Sequence, residues 1–177
     1  FYKMSQLFIG KPDYQNEPDY CAYFFELVPE IGLLDALKQS LEQTISFIAS
    51  LTPEQWQFAY QKNKWTTAQV VRHIIDCERV YTYRAFRFSR LDNTPLAAFD
   101  ENRYIVNIAP HFLEKETLLK EYEHVRNATI SLFSNMNTEM LDFKGKSGVV
   151  NYTTHGLGYM TVGHNLHHIA FIRNNYL

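Results

Sequence analysis

The chain has 177 residues and a net charge of −2, from 17 Lys and Arg against 19 Asp and Glu. That length supports one domain with a sizeable core, and a composition of 46% hydrophobic and 15% aromatic residues can fill it. The basic residues are scattered, which excludes a nucleic-acid surface, and no apolar run approaches the ~20 residues that a membrane-spanning helix needs.

Two cysteines, Cys21 and Cys77, form no CxxC pair. They are expected to stay free thiols in a reducing, cytoplasmic setting. The sequence opens at Phe1 and shows no signal peptide, internal repeat or domain linker. Residues 1–177 therefore read as a single domain.

The first 29 residues are aromatic and loop-like, with a short helix expected over residues 20–28, ended by Pro29. The first long helix is predicted over residues 30–51, from Leu33, Leu34, Leu37, Leu41, Ile45 and Ile48 at helical spacing. Thr52-Pro53-Glu54 restarts the chain, with Thr as N-cap and Pro at the first helical position.

The second long helix opens at Trp65-Thr66-Thr67 and runs to about residue 90. Thr66 and Gln69 have the spacing of a capping box. The helix's inward stripe is Val70, His73, Ile74, Cys77, Tyr81, Arg84 and Phe88. A connection over residues 91–112 follows. A stretch of this length is functional or partly helical. It is expected to lie ordered on the bundle, anchored by Phe99, Tyr104, Ile105, Val106 and Ile108.

The third long helix covers residues 113–136, with Leu118, Tyr122, Val125, Thr129, Leu132 and Met136 inward. The fourth begins near Thr153, a suitable N-cap, and ends near the C-terminus. Gly156 and Gly158 lower the helix propensity of its first turns. Four long helices, no convincing strand and a long crossover define an all-α four-helix bundle, a fold whose core accommodates metal sites.

His164 and His168 are one turn apart on the inward face of the last helix. Neutral imidazoles in an apolar interior are costly unless hydrogen-bonded, as satisfied core histidines are, or bound to a metal. His73, inward on another helix, tips the reading toward a metal. Three imidazoles suit Zn, Ni, Cu or Fe(II) and leave coordination positions open, as catalytic sites do. Cys77 reads as a small apolar filler, with a thiolate ligand as the other reading. His167 is expected at the pocket edge, and His111, His124 and His155 in solvent. Asp76 and Glu78 are expected in ion pairs with arginines. Arg84 needs a carboxylate, Asp100 or Glu101, or else an anionic substrate.

Taken together, Lys64-Trp65-Thr66, His73-Ile74-Ile75-Asp76-Cys77-Glu78-Arg79, Tyr83-Arg84-Ala85-Phe86-Arg87-Phe88, Thr94-Pro95-Leu96, Phe99-Asp100-Glu101-Asn102 and Gly163-His164-Asn165-Leu166-His167-His168 resemble the DinB superfamily. The closest branch is the YfiT-like metal-dependent hydrolases, related to bacillithiol S-transferases. The resemblance implies an up-down-down-up bundle and a divalent ion, Ni or Zn, on His73, His164 and His168, completed by water.

The expected function is a metal-dependent enzyme. Its ion would activate a low-molecular-weight thiol cosubstrate for transfer, or a water for hydrolysis. Transfer is favoured because the stripes of the second and fourth long helices carry no inward Glu or Asp to act as base. The rival is a non-enzymatic metal-binding or stress-response bundle whose ion is structural. Expected partners are a small-molecule substrate and, at most, a second copy in a homodimer, with no nucleic acid and no membrane.

Overall fold

The computed structural model describes residues 7–177; the expectation for the first six residues lies outside them. Four long helices form the frame: α2 (Leu33–Ser50), α4 (Thr67–Ser89), α6 (Lys115–Phe133) and α8 (Thr154–Asn175). Short helices α1 (Cys21–Glu26), α3 (Pro53–Gln57), α5 (Glu101–Val106) and α7 (Thr138–Asp142) decorate it. The helix starts follow local chemistry. Thr52 with Gln55 and Thr66 with Gln69 both close complete capping boxes. The Thr153 hydroxyl accepts the Gly156 N–H at 2.8 Å and opens α8.

Cross-helix pairs give the direction of each helix. Arg72 meets Glu121, Glu78 meets Arg126 and Thr82 meets Thr129, so α4 and α6 run parallel. Leu37 meets Arg126 and Leu51 meets Lys115, so α2 and α6 run antiparallel. Thr44 bonds Asn165, while Leu33 lies against Gly158, so α2 and α8 run parallel. Trp65 meets Tyr176 and His73 meets His164, so α4 opposes α8. The bundle is therefore up-down-down-up, and the chain between α4 and α6 must return along its length.

Two apolar clusters fill the two ends of the bundle. One gathers Phe25, Leu33, Leu37, Phe88, Phe133 and Leu157; the other gathers Ile48, Ile74, Ile75, Leu118, Tyr122 and Ile172. A polar belt runs among the helices. Fully buried Arg126 donates to both Glu78 carboxylate oxygens, at 2.8 and 2.9 Å, and to the Leu37 carbonyl at 3.1 Å. Thr129 donates to Glu78 at 2.8 Å, and Tyr122 donates to Asn165 at 3.0 Å.

Some local expectations need correction. The stripe of α6 buries Leu118, Tyr122, Arg126, Thr129 and Phe133, so Arg126 and Phe133 replace Val125 and Leu132. Arg126 can face inward because Glu78 compensates its charge. A hairpin, β1 (Lys144–Ser147) with β2 (Val150–Thr153), turns at Gly148, whose φ of +60° suits glycine. Leu96 hydrogen-bonds to this hairpin and so ties the long connection down. Ile105 is buried there, but Val106 is 81% exposed and anchors nothing.

The glycines of α8 make close packing possible. A Cβ on Gly156 would strike the Glu17 carboxylate, one on Gly158 would reach Phe133 at 2.9 Å, and one on Gly163 would overlap the Phe24 carbonyl.

Candidate metal centre

α4 and α8 cross where His73 and His164 face one another. His73 Nε2 lies 3.1 Å from His164 Nε2, and His168 Nε2 lies 3.1 Å from His164 Nε2. The ring centroids of His73 and His168 are 4.8 Å apart. The structure thus brings all three expected histidines together. Hydrogen bonding alone does not satisfy this cluster. His164 Nε2 has one lone pair, and two neighbouring imidazoles converge on it. An ion bonded to two nitrogens at about 2.1 Å, with the nitrogens 3.1 Å apart, subtends about 95°. The donor set therefore fits a divalent ion.

Burial keeps the rings neutral, the form that binds metal. It lowers the His73 pKa to about 4 against a raising influence from Glu101, and lowers that of His168 to about 3, with His73 adding repulsion. His164, the most enclosed, is depressed well below the usual imidazole range, by burial and then by His168 and His73.

Cys77 lies one turn along α4, its Sγ 3.6 Å from His73 Nδ1. His73, Cys77 and His164 together form a group whose ligand atoms all lie within 4.8 Å of one another and could hold a metal ion. The thiol is held protonated, its pKa pushed up to about 12 by burial and then by the charge of Glu101.

Around the cluster, Trp65 leans on His73 with centroids 5.0 Å apart, and Tyr81 meets His164 edge-on at 5.7 Å. His167 turns away at the rim, its Nδ1 2.9 Å from the Tyr23 hydroxyl, as its position on the helix predicts. A cavity of about 360 Å³ opens beside His168, lined by Lys64, Trp65, Asn102 and Phe171 among others, with no carboxylate in its wall.

Asp76 pairs with Arg72 at 3.4 Å and Glu78 with Arg126, so both carboxylates serve ion pairs as expected. Arg84 departs from expectation: among the described residues no carboxylate pairs with it, and its one hydrogen bond goes to the Ala97 carbonyl at 3.3 Å. Asp100 is spent on capping α5, accepting from Asn102 and Arg103, while Arg87 takes Asp92. His155 is not solvated: it is largely buried and bonded to the Gly10 carbonyl. Glu101 escaped the sequence reading as a neighbour of the cluster. It sits on α5, which packs on α4, and its charge is felt at both His73 and Cys77. Helix periodicity carries no signal for it.

A four-helix bundle that gathers three imidazoles from two antiparallel helices has the donor set of a class that can hold an ion in its core. The chain belongs to the DinB superfamily, whose family profile matches residues 36–172. In overall structure it is similar to YfiT from Bacillus subtilis, described as a probable metal-dependent hydrolase with an unusual four-helix bundle topology. That likeness has a TM-score of 0.68 at 18% identity and covers 98% of this chain and 93% of that one. No curated protein matches the chain. Among the described residues no helix is long and apolar enough to cross a membrane.

Proposed function

We propose that the chain is a metal-dependent hydrolase in which His73, His164 and His168 hold a divalent transition ion, zinc or nickel. The observation that carries this reading is the convergence of the neutral His73 and His168 Nε2 atoms on His164 Nε2, each at 3.1 Å, beside an open cavity. An ion held there supplies Lewis-acid polarisation and acidifies a water or thiol beside it. The chain's own residues then divide the work. Glu101 lies outside the cavity wall, but its charge acts on His73, and it is assigned the role of general base. His167, tied to Tyr23, fixes the rim, and Lys64 and Trp65 face the incoming molecule. The sequence argument for thiol transfer rested on the lack of a base, and Glu101 removes that ground. The likeness to YfiT agrees with hydrolysis.

Thiol transfer is the second reading, favoured by the wall of the cavity. With Lys64 and no carboxylate, it suits an anionic thiol. The third reading, a structural ion, requires Cys77 to close the coordination. In that reading the ion itself would have to draw the proton off a thiol that burial holds protonated without it.

The deciding experiment loads purified protein with zinc or nickel and measures bound metal by elemental analysis. The loaded protein is then assayed with ester and amide panels, and with glutathione, cysteine or bacillithiol plus monochlorobimane. The expected results are one ion per chain, its loss in His164→Ala and His168→Ala but not in Cys77→Ser, and ester or amide turnover. Glu101→Gln should lower kcat by roughly 10²–10⁴-fold with metal content unchanged. Conjugation without hydrolysis would move the assignment to thiol transfer. Full loading in His168→Ala with loss in Cys77→Ser would overturn the ligand set.

A further inference from the structure

Arg84 is only 5% exposed, yet among the described residues no carboxylate neutralises it. Its guanidinium lies between two aromatic rings, 5.3 Å from the centroid of Phe99 and 6.0 Å from that of Tyr152. One weak hydrogen bond to Ala97 leaves most of its five donors uncommitted. A buried cation without a counter-charge is costly, and of the two expected carboxylates Asp100 is engaged in capping α5, while no ion pair joins Glu101 to Arg84 among the described residues.

The position of Arg84 relates it to the histidine cluster. His73, Cys77, Tyr81 and Arg84 form one stripe along α4, and long side chains lean toward the N-terminus of their helix, which carries the guanidinium back toward Tyr81. Its charge is felt at Cys77, Tyr81 and Tyr20, groups that surround the cluster or adjoin it. The covering segment tells the same story. Ala97 and Phe99 touch Arg84, and two residues on Glu101 acts on His73. One strap of chain thus runs from the arginine to the histidines. A cavity of about 430 Å³, lined by Arg84, Ala97, Phe99 and Tyr104, adjoins it. From the helical rise and the lean of the side chains, the two ends lie roughly 10–15 Å apart.

We propose that Arg84 binds the carboxylate tail of an elongated substrate whose reacting end lies at His73, His164 and His168. The guanidinium fork grips carboxylate and phosphate alike, and the flat carboxylate suits the narrow space beside two rings better than a tetrahedral phosphate does. The assignment deepens the hydrolase reading and rests on it for the reacting end alone. The arginine's demand for an anion stands without any metal.

The test separates the two claims. Metal-free protein is titrated with octanoate, octanamide and octyl phosphate by calorimetry. Octanoate should bind, octanamide should bind at least about tenfold more weakly, and Arg84→Met should lose at least about tenfold in octanoate affinity with near-ultraviolet dichroism intact. Arg84→Lys keeps the charge without the fork, should lose at least about threefold, and carries the test if Arg84→Met does not fold. Metal-loaded protein is then given p-nitrophenyl esters of a ten-carbon chain ending in carboxylate or in primary amide. A kcat/KM preference of about 10–100-fold for the acid, abolished in the arginine variants, supports the proposal. Octanoate binding that depends on Arg84 without turnover of either ester upholds the arginine's role and sinks the hydrolase reading. Octanoate affinity unchanged in both variants, or octyl phosphate bound more tightly than octanoate, overturns the proposal.

Discussion

Removing one partner of the Arg126–Glu78 pair should be among the most damaging single changes outside the histidine cluster. Arg126 is fully buried, and Glu78 is 2% exposed. In Glu78→Leu the guanidinium keeps the Leu37 carbonyl and the Ser40 hydroxyl but no counter-charge. Stranding such a group costs about 3–5 kcal/mol. Arg126→Met leaves the Glu78 carboxyl able to take a proton and keep Thr129, so its cost falls at the lower end, about 3 kcal/mol. The double variant replaces both by apolar groups of similar size and should lie within about 1–2 kcal/mol of wild type. The coupling energy is then at least about 3 kcal/mol. Urea unfolding followed by helix dichroism and by Trp56 and Trp65 fluorescence measures all three. At roughly 2–4 °C per kcal/mol for a chain of this size, each single variant melts about 6–20 °C lower. If each single change costs under about 1 kcal/mol, or if the costs add in the double variant, the pair is not the clamp joining α2, α4 and α6 described above.

Metal-free protein should lose stability as pH falls. The folded pKa of His73, about 4, lies below its ordinary 6.5, so the unfolded chain takes up the proton first. The contribution, up to about 3 kcal/mol, is complete above pH 6.5 and is lost toward pH 4. Glu17, raised to about 7 by burial, works in the opposite sense, so the measurement is the difference between wild type and His73→Gln at pH 7 and 5; parallel losses would refute it. Gly163→Ala drives a methyl into the Phe24 carbonyl and should cost about 1–3 kcal/mol despite the better helix propensity of Ala, with weakened metal retention; a more stable variant would contradict the close approach of α1 to α8. Cys21 and Cys77 are both free and buried, so Ellman's reagent should find two thiols per unfolded, unreduced chain and react slowly with the native one; fast native labelling would show the core to be open.

The long helices were legible because apolar spacing and the Thr66 and Thr153 caps are local signals, and the histidines were legible because they sat on those stripes. What the sequence hid depended on partners distant in the chain. Arg126 reads as solvent-facing until Glu78, 48 residues away, is set beside it. The hairpin strands are four residues each, too short for a period of two to register, and β1 is made of Lys, Gly and Ser. Arg84 was given a carboxylate because two stood nearby in sequence, but proximity along a chain does not fix side-chain reach. Asp100 was better used at the start of α5. Glu101 belongs to a connection, and no periodicity reports what a connection covers.

The parallel course of α4 and α6 has an evolutionary consequence. A bundle of alternating direction would join these helices by a tight turn at one end and leave the flank of α4 bare. Here the chain must travel back, and the return trip lays Phe99 and Glu101 over the arginine and histidine stripe. That strap owes little to the frame beneath it, since Leu96 and Ile105 are among its few fixings. Residues 94–104 can therefore drift, lengthen or be grafted from a relative while the three imidazoles keep their spacing. Glu101 thus rides on exchangeable chain while Arg84 and the imidazoles stay on the frame, so exchanging about a dozen residues can alter the chemistry beside the ion's ligands without moving them.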